Sequence, residues 1–400
     1  MRVGIIGCGN ISELHLKGYK ELQEKKIGDV AISAVCDAAE SRGRELAGLI
    51  GTFQKDRPKI YTDFGKMLDE RAIDVADICT PPFLHHTMAI ACSEAGVHAT
   101  VEKPFAITVK AATKMMETAG HNGTVLALSE NVRRAALIRA YKWIIDEGYI
   151  GNVEAIFTGS YGIYHLGKFW KGNEITATPW RHEKLKAGAG YVLDAGSHTA
   201  DIFRYINGEV EEVFGAMKRF AEVRGGEAWR FRQFEKPRLE AEEAKAVKNS
   251  VEDLALAILK FANGSLGQYA TGTGGHGAAS SYGTWIYGSS GCIREGEMFL
   301  DDGTKQNVLD FFKKKADREL QDKLFPKGLT DIFALEMYDF FEAVSKGLKP
   351  ETDGWDGLKS IAICYAIVES AILSEPVKIS DVETGQVDSY QREINEHYNI

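Results

Sequence analysis

Short apolar runs alternate with segments of helical period along the first 130 residues of the chain. The apolar runs predict buried strands at Arg2–Ile6, Ile32–Cys36, Val75–Cys79, His98–Val101 and Val125–Leu128. The segments between them predict helices at Ile11–Glu24, Glu40–Ile50, Phe64–Glu70, His85–Ala95 and Ile107–Ala119. Because strands that alternate with helices pair in parallel, with helices on both faces, the pattern predicts an α/β domain with a doubly wound parallel sheet over residues 1–130.

Residues 131–400 carry a different pattern, in which most strands follow one another without a helix between them. Helices are predicted at Ile138–Glu147, Gly190–Ile206, Phe333–Ser345 and Leu358–Ser374. Strands are predicted at Val153–Tyr161, Val213–Phe220, Leu254–Phe261, Ser265–Thr271, Thr284–Tyr287 and Cys292–Glu295. Asn263-Gly264, between two of these strands, is a strong hairpin signal. We therefore expect a second, α+β domain with a mostly antiparallel sheet.

A charged stretch, Glu222–Lys248, interrupts the strands of this second domain and is poor in apolar residues. A solvated loop or an exposed helix is the simpler interpretation. A lid or a subunit contact is the alternative.

The composition is that of a soluble globular protein. The 400 residues are 44% hydrophobic and 26% charged, and no apolar run reaches the ~18 residues that span a membrane. The net charge of −9 argues against nucleic acid or an anionic membrane as a partner. The six cysteines are scattered without a C-x-x-C spacing, and the first strand begins at residue 2. We therefore expect a cytoplasmic protein with reduced thiols.

Gly7-Cys8-Gly9 lies between the first predicted strand and the first predicted helix. Such a turn lets backbone N–H groups approach a diphosphate, and Ser12 takes the third small position of this fingerprint. Asp37 follows the second strand, where a carboxylate binds the ribose hydroxyls of NAD and repels the extra phosphate of NADP. It follows Gly9 by 28 residues, more than the usual ~20, and an ordinary turn with a surface Asp37 is the alternative. NAD is the predicted cofactor, and NADP is less favoured, with Arg42 on the next helix as its only support.

Two further motifs follow predicted parallel strands at their carboxyl ends, the edge where open α/β sheets bind ligands. Thr80-Pro81 leads towards His85, and Glu102-Lys103-Pro104 follows the next strand. Near a nicotinamide ring, Lys103 can donate a hydrogen bond to the substrate oxygen that is oxidised or reduced. The alternative interpretation of Lys103 is a surface pair with Glu102.

Asp194 and His198 lie four residues apart in a predicted helix, so they share one face. A carboxylate beside an imidazole orients the ring and stabilises its charged form, which suits a general base. Gly196 between them lets a ligand or another backbone come close. A metal site would need a third donor at a recognisable spacing, and we predict none.

These motifs occur in an order and at separations that resemble the Gfo/Idh/MocA oxidoreductase family. They are Gly7-Cys8-Gly9-Asn10-Ile11-Ser12, Thr80-Pro81 with His85, Glu102-Lys103-Pro104 and Asp194-x-Gly196-x-His198. The later stretches Phe261-Ala262-Asn263-Gly264-Ser265, Gly288-Ser289-Ser290-Gly291, Ile372-Leu373-Ser374 and Val377 extend the resemblance to essentially the whole chain. It implies an N-terminal Rossmann domain that binds NAD or NADP and a C-terminal α/β domain with a large open-faced sheet. An open-faced sheet with one apolar surface predicts a homodimer or homotetramer.

The resemblance also implies roles for single residues. Members of the family commonly oxidise or reduce a hydroxyl or ketone of a sugar or cyclitol, and their catalytic pair corresponds to Lys103 and His198. Asp194 would bind the substrate or orient the histidine. The expected cofactor-binding residues are Gly7, Gly9, Asn10, Ile11, Asp37, Thr80, Pro81, His85, Glu102 and Lys103. Pro82 departs from the pattern, because many relatives carry Asn after Thr-Pro, and this puts one hydrogen bond near the cofactor in doubt.

Aromatic and planar polar side chains precede the Asp194 helix and are typical of a sugar pocket. They are Tyr161, Tyr164, His165, Trp170, Trp180, Arg181 and His182. The predicted substrate-binding residues are Tyr161, Tyr164, Trp180 and Arg181 from this set, together with Lys103, Asp194 and His198. For any single aromatic, core packing is the alternative. Arg181 can instead bind a carboxylate, phosphate or sulfonate. The glycine-rich stretch Thr271–Gly277 is interpreted as a flexible strand end, with His276 near the pocket.

The sequence thus predicts an NAD-dependent oxidoreductase that transfers a hydride at a secondary hydroxyl or ketone of a sugar, sugar derivative or cyclitol. One alternative is an NAD-requiring enzyme that cleaves glycosides by transient oxidation, elimination, hydration and re-reduction, with Tyr161, Tyr164 or His182 as a further acid or base. Another is a cofactor-bound regulator without turnover, against which the presence of both Lys103 and His198 argues.

Overall fold

The computed structural model describes residues 1–163, 178–220, 222–224, 247–275 and 281–400. The chain divides into two compact units. The first unit comprises Met1–Ala106, Ala111–Ala140 and Leu309–Lys359, and the second comprises Ile107–Lys110, Tyr141–Val308 and Ser360–Ile400. The first unit thus includes a segment from the last quarter of the chain.

A parallel sheet forms the centre of the first unit. Its six strands in the described chain are Arg2–Ile6 (β1), Ala31–Cys36 (β2), Lys59–Tyr61 (β3), Val75–Ile78 (β4), His98–Glu102 (β5) and Leu126–Ser129 (β6), in the order β3-β2-β1-β4-β5-β6. All neighbouring pairs are parallel, which confirms the predicted doubly wound sheet. The apolar pattern of the sequence did not predict β3, because only two of the three residues of this strand are apolar.

Helices connect these strands and continue to the start of the second unit. They are Asn10–Glu24 (α1), Glu40–Ile50 (α2), Phe64–Asp69 (α3), Pro82–Glu94 (α4), Val109–Asn122 (α5) and Ala136–Asp146 (α6). Val3, Ile5 and Val75 are fully buried, as expected for parallel strands that are covered on both faces.

The strand order reverses direction between β1 and β4, which makes their carboxyl ends the topological switch point. Ile6 pairs with Cys36 on one side and with Ile78 on the other, and Ile78 pairs with Val101. The residues that follow these four strands therefore form one row along the carboxyl edge of the sheet. This row contains the predicted glycine turn, Asp37, Thr80 and Lys103.

A mixed sheet dominates the second unit. The strands in its described part are Val153–Ile163 (β7), Val210–Lys218 (β8), Val223–Arg224 (β9), Val247–Lys248 (β10), Leu254–Phe261 (β11), Leu266–Gly275 (β12), Ser281–Gly288 (β13), Gly291–Arg294 (β14), Glu297–Leu300 (β15), Lys305–Asn307 (β16) and Val377–Lys378 (β17). The order is β16-β15-β14-β13-β7-β12-β11-β8-β17, with β9 and β10 paired separately. Only the β7–β12 pair is parallel among these neighbours, so the predicted mostly antiparallel sheet is confirmed.

The hairpin between β11 and β12 turns at Asn263-Gly264, as predicted, with Gly264 at φ +85°. Burial alternates along β11: Ala255, Ala257 and Leu259 are buried, whereas the residues between them are exposed. One face of the sheet therefore carries the core of the second unit, and its other face is open.

The remaining helices include the one that carries the predicted catalytic histidine. They are Lys184–Ala187 (α7), Tyr191–Asp194 (α8), Gly196–Asn207 (α9), Val308–Lys315 (α10), Arg318–Leu324 (α11), Ile332–Lys346 (α12), Gly354–Leu373 (α13), Ile379–Glu383 (α14) and Arg392–Tyr398 (α15). Short 3₁₀ turns lie at Val132–Arg134, Pro179–His182 and Pro326–Gly328. None of the described helices has the length and apolarity that crossing a membrane requires.

Within the first unit, α12 packs against α1 at Gly18. A Cβ on Gly18 would lie 2.7 Å from the backbone nitrogen of Ala334, so the absence of a side chain permits this close approach. Nearby, the ring of His15 lies 5.1 Å from the ring of Phe333. The segment 309–359 therefore covers the helix that begins at the glycine turn.

Candidate active site

The glycine turn after β1 is tightly packed on its inner side. Gly7 has a φ of +94°, and a Cβ there would lie 2.7 Å from the carbonyl oxygen of Cys79, so only glycine fits. Asp37 Oδ2 accepts a hydrogen bond from the backbone N–H of Cys8 at 2.9 Å. Burial and the Asp37 carboxylate raise the pKa of the Cys8 thiol to about 12. The thiol therefore stays uncharged beside the predicted ribose-binding carboxylate.

The outer side of the same turn is open. A Cβ on Gly9 would meet no atom within 4 Å, and Gly9 begins α1 without a capping side chain. Ser12 is fully buried, and its hydroxyl donates to the carbonyl of Gly9 at 2.7 Å. Asn10 and Ile11, which are predicted to contact the cofactor, are the first two residues of α1. A helix N-terminus with open space before it suits a diphosphate, so these residues fit the predicted dinucleotide.

The loop after β4 leads into α4 earlier than predicted. The helix begins at Pro82 rather than at His85, with Pro81 as its N-cap residue, because proline is pre-organised for the first helical position. His85 is fully buried; its Nδ1 lies 3.0 Å from the carbonyl oxygen of Pro104 and its Nε2 lies 2.7 Å from that of Thr80. Burial lowers the pKa of His85. The ring connects the loops that follow β4 and β5, and a direct contact with the cofactor remains a prediction.

Lys103 follows β5 at the carboxyl edge, and its side chain is partly exposed. The preceding Glu102 is buried, so it is not half of an exposed surface pair. Its Oε1 lies 2.9 Å from Nε2 of His15, and its Oε2 accepts a hydrogen bond from the backbone N–H of Lys103 at 3.0 Å. Through this hydrogen bond, the Glu102 carboxylate holds the backbone of Lys103 from inside the first unit. The Lys103–Pro104 peptide bond that follows is cis.

In the second unit, the predicted helix over Gly190–Ile206 is divided into α8 and α9, which meet at Ala195. Asp194 ends α8, and His198 lies in the first turn of α9, partly exposed. The hydroxyl of Tyr269 lies 2.6 Å from where a Cβ on Gly196 would be. The approach expected at Gly196 is therefore made by a side chain of the protein itself.

Asp194 forms an ion pair with Arg181, and the Arg181 guanidinium lies over the ring of Trp180, 4.6 Å from its centroid. Three predicted substrate-binding residues are thus brought together. Their side chains are partly exposed. The orientation of His198 by Asp194 remains a prediction, because the described ion pair of this carboxylate is with Arg181.

Glu252 supports the turn that leads to Asp194 and was not predicted. Its carboxylate is buried and accepts hydrogen bonds from the backbone N–H groups of Gly190 at 2.8 Å and Val192 at 2.9 Å. Burial raises the pKa of Glu252. His15 and Asp77 were also missed, although a polar residue inside an apolar strand or on an apolar helix face is a usable signal.

Several predicted residues lie outside the part of the chain that the structure describes. They are Tyr164, His165, Trp170 and His276, together with most of the charged stretch 222–248. Tyr161, in β7, is partly exposed and pairs in register with Gly272 and Ser281.

Comparison with protein-family models gives two matches. Residues 1–130 match the NAD-binding Rossmann-fold model of the Gfo/Idh/MocA oxidoreductase family. Residues 142–379 match the model of the C-terminal alpha/beta domain of the same family. Together these matches span most of the chain.

Comparison with individual proteins gives full-length similarity. A levoglucosan dehydrogenase of Pseudarthrobacter phenanthrenivorans is 27% identical over 416 aligned residues, which cover 96% of this chain and 99% of the relative. A myo-inositol 2-dehydrogenase of Thermotoga maritima is 24% identical, with the same coverage of 96% and 99%. The solved structure of a levoglucosan dehydrogenase in complex with NADH has a TM-score of 0.77 at 23% identity and covers 95% of this chain and 99% of that one. At this identity, the structural likeness shows the shared fold.

Proposed function

Because the chain belongs to the Gfo/Idh/MocA family of oxidoreductases, we propose that it oxidises or reduces a secondary hydroxyl or ketone of a sugar, sugar derivative or cyclitol with Lys103 and His198 as the acid–base pair. The cofactor is NAD, since the first 130 residues are the NAD-binding Rossmann domain of this family. The observation that carries the proposal is the position of Lys103. It stands in the row of residues at the carboxyl edge of the sheet that also contains the glycine turn and Asp37.

The residues that would hold the cofactor lie along this edge. The N-terminus of α1 at Gly9, Asn10 and Ile11 receives the diphosphate, and the Asp37 carboxylate accepts hydrogen bonds from the ribose hydroxyls. NAD, when bound, accepts a hydride from an alcohol or returns it to a ketone. Asp37 carries the negative charge that disfavours the 2′-phosphate of NADP.

In the oxidation direction, the imidazole of His198 takes the proton of the substrate hydroxyl. The ammonium group of Lys103 donates a hydrogen bond to the same oxygen and stabilises the negative charge that grows as the proton leaves. In the reduction direction the protonated His198 returns the proton to the ketone oxygen. His198 therefore moves the proton, and Lys103 stabilises the charge on the oxygen.

The ion pair between Arg181 and Asp194 favours a neutral polyol over an anionic substrate. Arg181 is already neutralised by Asp194, so an incoming carboxylate or phosphate would have to break this pair. A sugar can instead donate its hydroxyls to Asp194 and accept from Arg181. The names of the two full-length relatives, which act on an anhydrosugar and a cyclitol, support the same class.

The test is the ratio of NADH formed to substrate consumed, measured with levoglucosan, myo-inositol, free sugars and simple glycosides. We expect a ratio near one. Consumption of a glycoside with almost no NADH would replace the proposal with the redox-neutral, glycoside-cleaving alternative.

Variants test the acid–base pair. Lys103→Met and His198→Asn are each expected to lower kcat by roughly a hundredfold or more. Lys110→Met and His121→Asn, which change exposed residues of the same types, serve as matched controls and should retain wild-type kcat. Full activity of Lys103→Met would contradict the proposal.

We also propose that the open face of the large sheet binds a second copy of the chain. Large apolar side chains are exposed on this face, namely Phe157, Phe214, Leu256, Ile258, Leu266, Trp285, Tyr287 and Phe299. Ile258 pairs with Phe214 across β11 and β8, and Trp285 pairs with Phe157 across β13 and β7, so the residues form a continuous patch. A patch of this kind is typical of an interface between subunits.

A further inference from the structure

A buried histidine links the helix after the glycine turn to the strand that precedes Lys103. His15, in α1, is fully buried. Its Nδ1 lies 2.9 Å from Oδ2 of Asp77 in β4, and its Nε2 lies 2.9 Å from Oε1 of Glu102 at the end of β5. Tyr19, one turn later in α1, donates its hydroxyl to the same Asp77 oxygen at 3.0 Å. One imidazole thus joins three elements of the first unit.

The network ends at the residue proposed to act on the substrate. Glu102 uses one carboxylate oxygen for His15 and the other for the backbone N–H of Lys103. The lysine is therefore two hydrogen bonds away from His15. Fixing a carboxylate at both oxygens restricts its rotation, so the backbone that it holds is restricted as well.

The charge of His15 fits this arrangement. Both ring nitrogens face carboxylate oxygens, which only accept, so the imidazole satisfies both by carrying two protons. Burial is the largest single effect and opposes this charge, but Asp77 and Cys79 together outweigh it and raise the pKa of His15 well above its usual range. The other titratable groups around the ring are Cys79 and Glu336; burial raises the pKa of Glu336 well above its usual range. The carboxyl groups within hydrogen-bond distance of the ring nitrogens are those of Asp77 and Glu102.

We propose that His15 is a positioning residue for the reaction, which through Glu102 holds Lys103 in place relative to the helix that receives the cofactor. This inference rests on the proposed catalytic role of Lys103. Residues that position a reacting group by hydrogen bonds affect turnover strongly, because a displacement of about 1 Å can cost roughly a hundredfold in rate.

The first experiment measures the protection of the Lys103 amide directly by hydrogen exchange and mass spectrometry, which needs no substrate. In His15→Gln the Lys103 amide should exchange about tenfold faster than in the wild type. Thr100→Val is the matched control, because it removes a different buried hydrogen bond of the same strand, the one to Ser129. Unchanged protection of the Lys103 amide in His15→Gln would overturn the proposal.

The second experiment separates positioning from general stability. His15→Gln and Glu102→Gln should each lower kcat about tenfold or more. In His15→Gln, the KM for the best substrate of the panel and the Kd for NADH should change less than about threefold. The kcat of the double variant should be about equal to that of the less active single variant, because both changes break the same chain of contacts. Thr100→Val should lower the melting temperature without lowering kcat. If kcat fell in proportion to the melting temperature in all variants, the loss would reflect stability and would contradict a positioning role for His15.

Tyr19→Phe keeps the inference testable if the buried substitutions prevent folding. It removes only the hydroxyl that holds Asp77 and should lower kcat about threefold; wild-type turnover in this variant and in any folded Glu102→Gln protein would overturn the proposal. Full activity of Lys103→Met would instead refute the proposed function itself. The donor atoms of His15, Asp77 and Cys79 lie within 4.8 Å of one another. If the wild-type protein contained stoichiometric zinc and His15→Gln lost it, this cluster would be a metal site, and the proposal of a hydrogen-bonded network would be overturned.

Discussion

The carboxylate of Asp37 accepts a hydrogen bond from the backbone N–H of Cys8 at 2.9 Å, which joins the end of β2 to the glycine turn. Its other oxygen accepts from the N–H of Ala39 at 2.9 Å. One acidic side chain thus shapes the turn and faces the place proposed for the ribose. Changing it should affect both cofactor selectivity and the order of the turn.

Asp37→Ala is expected to weaken NADH binding about tenfold or more and to narrow the preference for NADH over NADPH, because the repulsion of the 2′-phosphate is removed. Titration of each nucleotide, followed by fluorescence, measures both effects. Asp56→Ala, at an exposed aspartate, is the control and should leave both affinities unchanged. Equal NADH affinity in Asp37→Ala and the wild type would contradict the assignment of Asp37.

Gly7 and Gly9 should respond in opposite ways to a single added methyl group. Gly9→Ala places its Cβ in open space, so the free energy of unfolding should fall by less than about 1 kcal/mol, whereas NADH affinity should fall about tenfold because the diphosphate loses its space. Gly7→Ala should lower the free energy of unfolding by about 2 kcal/mol or more, because the Cβ meets the Cys79 carbonyl at a positive φ. Urea denaturation and NADH titration on the same samples distinguish the two. Unchanged NADH affinity in Gly9→Ala would argue against diphosphate binding at this turn.

Glu351 should make the first unit sensitive to acid. Burial alone would raise its pKa, but the guanidinium groups of Arg134 at 3.0 Å and Arg139 at 2.8 Å prevail and lower it from 4.5 to about 2. A carboxyl whose pKa is lower in the folded state stabilises the fold above its unfolded pKa. That stabilisation, on the order of 3 kcal/mol, is lost as the pH falls from about 4.5 to about 2.

Glu351→Gln should therefore lower the free energy of unfolding at pH 7 by a few kcal/mol and flatten its dependence on pH in that acidic range. Denaturant titrations at several pH values give both quantities. Glu319→Gln, at an exposed position of α11, is the control and should behave like the wild type. A Glu351→Gln protein with wild-type acid sensitivity would show that another group controls it.

The open face of the large sheet predicts a change of oligomeric state. Ile258 is 58% exposed in the apolar patch, so Ile258→Glu should turn a dimer or tetramer into smaller species, because a charge would be buried in the interface. Sedimentation velocity measures the mass. Leu348→Glu, which changes an equally exposed leucine of the first unit (57%), should leave the mass unchanged. A monomeric wild-type protein would refute the proposed interface.

Much of the fold was predictable because its signals are local. The apolar runs of β1, β2, β4, β5 and β6 and the helices between them follow from periodicity, and the β11–β12 hairpin follows from Asn263-Gly264. The start of α4 was wrong by three residues, because Pro82 begins the helix. The division between α8 and α9 was missed. At the start of α9, Tyr269, from a strand far along the chain, packs where a side chain of Gly196 would be.

The sequence by itself determined the fold class, the family and the turn that fits NAD, because these depend on residues that are adjacent or regularly spaced along the chain. Only the tertiary structure decided the partners of the charged side chains. His15 meets Glu102 across 87 residues, and Asp194 forms an ion pair with Arg181, which lies outside its helix. Such pairs depend on strand register and helix packing, which bring distant residues together and which no local pattern records.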